Sequence, residues 1–110
     1  MTDTLYDETA AAAAASVIRA YSTSFGLATN LLGSRVRRHV RNVYALVRVA
    51  DEIVDGAAEA AGVPLDEQRS VLDALETETY AAIERAFSAN LIVHAFARTA
   101  RECGIGRVHI

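Results

Sequence analysis

The sequence predicts an all-α fold, a single domain over residues 1–110 built from about five helices. Three observations lead there. Apolar residues recur at helical spacing along most of the chain, and no run alternates with the period of two that marks a half-buried strand. Hydrophobic residues make up 52% and charged residues 23%, a balance that folds instead of staying disordered. A length of 110 residues suits one core and leaves no room for a second domain of any size.

Taken in order, Asp3 and Thr4 are placed to cap a first helix running to about Tyr21, with Asp7 and Glu8 in early turns where the helix dipole favours acid. The alanines from Ala10 to Ala15 give that helix propensity and a surface for close packing. Ser22-Thr23-Ser24 interrupts it, because hydroxyls compete for backbone hydrogen bonds, and a short helix from Phe25 to Leu32 follows, ending at Gly33. Ser34 is placed to cap a long central helix that reaches Asp55 and stops at Gly56. Beyond Pro64, Asp66 and Glu67 open an amphipathic helix running to about Phe87. Ser88 is then read as the cap of a last helix, Leu91 to Cys103, with Leu91, Ile92, Ala95, Phe96 and Thr99 turned inward and Gly104 at its end.

The central helix carries the chemistry. Tyr44, Arg48, Asp51 and Asp55 stand at i, i+4, i+7 and i+11 and form one stripe, with the two carboxylates about 6 Å apart along the axis. Like charges at that spacing repel, which a divalent cation between them would offset. Val36, Val40, Val43, Val47, Ala50 and Val54 form a second stripe, widened by Leu46, Val49 and Ile53. That pattern predicts a helix set in the interior with its polar face on a cavity. The plainer alternative is an outer face on which Arg48 pairs with Asp51 and Asp55 meets water. Ser22 and Ser24 either cap a restarting helix or hold phosphate oxygens. Arg35, Arg37, Arg38 and Arg41 crowd the start of the central helix against its dipole; an anionic substrate, an anionic membrane surface or plain hydration would offset them.

Composition narrows the partners. A net charge of -3 argues against a general nucleic-acid binder. Cys103 is the only cysteine, so no internal disulfide forms and the expected setting is the reducing cytoplasm. No apolar run approaches the roughly 18 residues of a spanning helix, which restricts any membrane role to peripheral contact. His39, His94 and His109 share no metal-ligand spacing and are read as surface or core residues.

These residues, in this order, resemble the N-terminal part of the squalene and phytoene synthases, the head-to-head prenyl transferases. Ser22-Thr23-Ser24-Phe25 is similar to that family's Ser-x-Ser-Phe element, and Leu31-Leu32 with Arg37 or Arg38 to its Leu-Leu-Pro and downstream Arg. Tyr44-Ala-Leu-Val-Arg48-Val-Ala-Asp51-Glu-Ile-Val-Asp55 is similar to its Tyr-Ala-x-x-Arg-x-x-Asp-Asp-x-x-Asp helix. The resemblance implies an isoprenoid-synthase-type bundle around a cavity, and condensation of two isoprenoid diphosphates, farnesyl or geranylgeranyl, in terpenoid or carotenoid biosynthesis. Asp51 and Asp55 would hold Mg²⁺ and the metal would hold diphosphate. Arg48, Ser22 and Ser24 would stabilise the leaving group, while Tyr44 and Phe25 would line the cavity.

Three departures qualify the match. Glu52 replaces the more usual second Asp, Gly33 stands where proline is usual, and a second Asp-rich motif and a Tyr-Cys-x-x-Val-Ala-Gly element do not occur. The expectation is therefore an N-terminal portion of a longer domain, pairing with a C-terminal half or self-associating through uncovered apolar residues such as Val47, Val54 and Phe96. The alternative function is a non-catalytic helical interaction module or a decayed fragment.

Overall fold

The computed structural model describes residues 4–22, 31–54 and 56–105. Four long helices carry the fold among these residues: α1 (Thr4–Tyr21), α2 (Ser34–Val54), α4 (Leu65–Arg85) and α5 (Leu91–Cys103). A single turn, α3 (Ala57–Ala60), follows α2. No strand occurs among the described residues, so the all-α expectation holds. The expected helix from Phe25 lies mostly outside the described residues, and Leu31 and Leu32 form a turn and bend ahead of α2.

The helix at the centre is α5, which packs against α1, α2 and α4. Val93 to Ala97 are buried without a break, as are Thr99 and Ala100. Small side chains let its neighbours come close. Ala10 and Ala14 of α1, Ala45 of α2 and Ala95 of α5 form one buried cluster flanked by Val17, Leu91 and Ile92. Ala82 of α4 with Val93 and Ala97 forms the second, flanked by Leu46, Leu75 and Ile83. The alanine run of α1 thus serves as a packing surface, as its composition suggested.

α2 does not sit in the interior. Only Asn42 and Ala45 on it are buried, while Val36 is 52% and Val47 53% exposed. The helix was expected inside because apolar residues surround most of it; instead one valine stripe faces outward. Phe96, expected to be uncovered with Val47 and Val54, is buried, because α5 is enclosed on several sides.

The ends of α5 follow local rules with one correction. Asn90, not Ser88, is the cap: its side chain accepts from Ile92 N–H at 3.0 Å and Val93 N–H at 3.2 Å. Ser88 is two residues early, and its hydroxyl accepts from Asn90 N–H at 3.1 Å instead. Gly104 closes the helix at φ 72°, a conformation in which a side chain would be strained.

A polar tie joins α1 to the start of α5. His94 Nδ1 accepts from the Ser88 backbone N–H at 3.1 Å, which leaves Nε2 to carry the proton and donate to Asp7 Oδ1 at 2.7 Å. Arg98 Nε lies 3.5 Å from the other Asp7 oxygen. Tyr6 donates to the Ser88 carbonyl at 2.5 Å, and its ring meets His94 edge-on at 4.6 Å between centroids. A second chain runs from α2 to α5. Asn42 Nδ2 donates to Thr99 Oγ1 at 2.9 Å, and the same hydroxyl is hydrogen-bonded to His39 Nδ1, also at 2.9 Å. The histidines read as core or surface residues are thus inter-helix fasteners, except His109, which lies outside the described residues.

Candidate functional site

Arg48 is the best-fixed member of the expected stripe. Its Nε donates to Glu52 Oε1 at 3.2 Å and its Nη2 donates to the same oxygen. Its guanidinium lies 4.7 Å from the centroid of the Tyr21 ring, at the end of α1. The other Glu52 oxygen accepts from Ala57 N–H at 2.7 Å. Arg48 therefore pairs with Glu52 and not with Asp51, and the carboxylate that holds it is itself held by the first turn after α2. Glutamate suits this position because it has one more methylene than aspartate with which to reach Ala57. Gly56 is needed for the same contact, since a Cβ there would come within 2.2 Å of Glu52 Oε2.

The electrostatics follow from that geometry. The Glu52 bond raises the Arg48 pKa above its ordinary value. Arg48 in turn, then the Ala57 N–H, holds the Glu52 carboxyl below its ordinary value of 4.5. A carboxyl depressed in the folded state contributes stability above its unfolded pKa and loses that contribution as pH falls through the folded one. Acidification below pH 4.5 should thus free Arg48 and loosen α3. A carboxyl-detected NMR titration giving Glu52 an ordinary glutamate midpoint would overturn this.

The other expected residues are placed unevenly. Ser22 follows Tyr21 directly, and its N–H is bonded to Ile18 O at 2.9 Å, so the first serine of the Ser-x-Ser element stands one residue from the aromatic ring under Arg48. Tyr44 is half-buried and Asp51 exposed on the same side of α2. Tyr44 also borders an apolar groove of about 430 Å³, walled by Val40, Val43, Val47 and Cys103. Ser24, Phe25 and Asp55 lie outside the described residues.

The outer face of α2 therefore carries two adjoining strips, one of valine and one of Tyr44, Arg48 and Asp51. The Asp51 carboxylate is not taken up by Arg48. It is an oxygen donor facing open space, which is what a hard cation such as Mg²⁺ takes alongside waters and phosphate oxygens. Among the described residues no three His, Cys, Asp or Glu side chains converge, so any metal there would rely on this helix face and on the substrate.

Sequence reasoning missed Glu52 as the anchor of Arg48, although its i,i+4 spacing was the available signal. Nothing in the sequence marked Tyr21, since it meets Arg48 only through the crossing of α1 and α2. No helix among the described residues is long and apolar enough to cross a membrane. No curated protein and no solved structure matches the chain. The family model for squalene/phytoene synthase, however, matches residues 18–110, from the last turn of α1 to the end of the sequence. That span includes Ser22, the Tyr44 to Asp51 face and the two long helices that follow it, and the chain belongs to the squalene/phytoene synthase family.

Proposed function

We propose that this chain supplies one side of the diphosphate site of a Mg²⁺-dependent head-to-head prenyl transferase acting on farnesyl or geranylgeranyl diphosphate. The observation that carries the reading is the fixed Arg48, held by Glu52 and Tyr21 beside Ser22 on the same outer face as Asp51, within a family match of residues 18–110. Arg48 keeps its positive charge at any working pH and, with its Nε edge given to Glu52, would turn its outer Nη donors to phosphate oxygens. The Ser22 hydroxyl adds a donor at the end of α1, and the family resemblance assigns Ser24 the same role. Tyr44 presents ring surface to an apolar chain or to the positive charge left when an allylic diphosphate departs, and the family resemblance assigns Phe25 the same role. Asp51 and Asp55 would hold Mg²⁺, which when bound supplies neutralising charge to the diphosphate.

Calorimetry tests the metal part directly. With Mg²⁺ and a prenyl diphosphate, Asp51→Asn should weaken binding at least about tenfold, the scale of one charge-assisted contact. An unchanged isotherm would remove Asp51 from the site. The outward valine strip favours a second reading, a helical module that docks on a partner without catalysis.

A further inference from the structure

Between the middle of α1 and the start of α2 lies a cavity of about 250 Å³. Arg37, Arg38 and Arg41 line it, with Ser34 and Asn42 from α2 and Ala11, Ala12 and Ala15 from α1. Among the described residues no carboxylate stands in its wall. We propose that this cavity is a binding site for a phosphate-bearing anion, separate from the Arg48 and Asp51 face.

Four observations carry it. Three of the clustered arginines line one space, Arg37 and Arg41 half-buried and Arg38 exposed, opposite side chains small enough to leave it open. Arg48, Arg85 and Arg98 each pair with an acid, whereas among the described residues neither Arg37 nor Arg38 has a carboxylate within ion-pair distance. This concentration of cation occurs in a chain whose net charge is -3. Finally, cations on both helices stand close enough to act on Arg41. Arg41 is held below its ordinary pKa, first by burial and then by Arg37 and by Arg19 of α1. Arg41 stands seven residues before Arg48, about 10 Å along the axis, so an anion here does not occupy the Arg48 fork.

Phosphate is the chemistry that matches. One guanidinium fork saturates a carboxylate, whereas a phosphate or diphosphate offers enough oxygens for several forks at once. The Ser34 hydroxyl and the positive end of the α2 dipole add to the same attraction. The anion could be free phosphate or a lipid headgroup, and the two sources separate in experiment.

The test titrates inorganic diphosphate, without metal, into the ¹⁵N-labelled chain. Shifts should saturate and cluster on Ala11 to Ala15 and Ser34 to Asn42; shifts confined to other residues would overturn the proposal. The Arg37→Gln, Arg38→Gln double variant should weaken binding by about tenfold or more, as expected for two charge-assisted contacts. Arg35→Gln, outside the cavity wall, should leave it unchanged. Retained binding in Arg48→Gln would show that the site stands apart from the proposed active-site face. Loss in Arg48→Gln with retention in the double variant would overturn this inference and leave the proposed function intact. In parallel, the chain is sedimented with phosphatidylcholine vesicles with and without phosphatidic acid. Pelleting that needs phosphatidic acid, fails in the double variant and is reversed by diphosphate identifies a headgroup. Diphosphate binding without pelleting identifies a soluble anion. Neither diphosphate binding nor pelleting overturns the proposal.

Discussion

Assayed alone with labelled farnesyl or geranylgeranyl diphosphate and Mg²⁺, the 110-residue chain should give no detectable product. On the proposed reading, the departing diphosphate must be neutralised from more than one side. The residues described here offer Arg48, Ser22 and Asp51 along a single open face, and a second Asp-rich motif does not occur in the sequence. Each missing preorganised charge-stabilising group lowers the rate about 10²- to 10³-fold, and several are missing together. An open face also leaves a carbocation exposed to water. Adding a segment that bears a second Asp-rich helix, fused or in trans, should restore product. Product from the chain alone would refute this account. Binding of the segment without product would favour the docking-module reading.

The second large effect is on stability. Asp7→Ala should lower the unfolding free energy by about 2–4 kcal/mol, out of roughly 5–15 for a domain of this size. Asp7 is 4% and His94 3% exposed, so removing the carboxylate leaves a buried imidazole N–H without its acceptor and Arg98 without one of its acids. Water cannot easily replace the lost partner at that depth. Urea denaturation should show the midpoint fall by this amount, with Glu8→Ala, exposed on the next residue, staying within about 0.5 kcal/mol of the parent. A loss equally small for Asp7→Ala would mean that the tie is dispensable.

Much of this architecture could be read from residue order alone. The helical spacing, the acid at Asp66 and Glu67 and the stop at Gly104 are local signals, set within a few residues, and each appears where expected. The environment of α2 was not legible. Its valines look like a core stripe because periodicity reports which residues share a face, not what lies opposite that face. Likewise, Asp7 read as a dipole-favoured acid, since no neighbouring residue announces that His94 will arrive beside it. In the candidate site, the Tyr44 to Asp55 spacing was plain in the sequence. The capture of Arg48 by Glu52 depended on where the chain turns at Gly56, which is a matter of close backbone approach.

The bonds between α1 and α5 join residues far apart in the chain, Tyr6 to Ser88 and Asp7 to His94. On the ribosome α1 is made well before α5 and therefore waits for these partners. Until α5 has left the exit tunnel, the alanine surface of α1 has only α2 to lie against, and its buried acid has no imidazole to receive. Contacts so distant in sequence form late and slowly. During that wait α1 is consequently open to chaperones and proteases, although in the finished fold it is firmly fastened to α5.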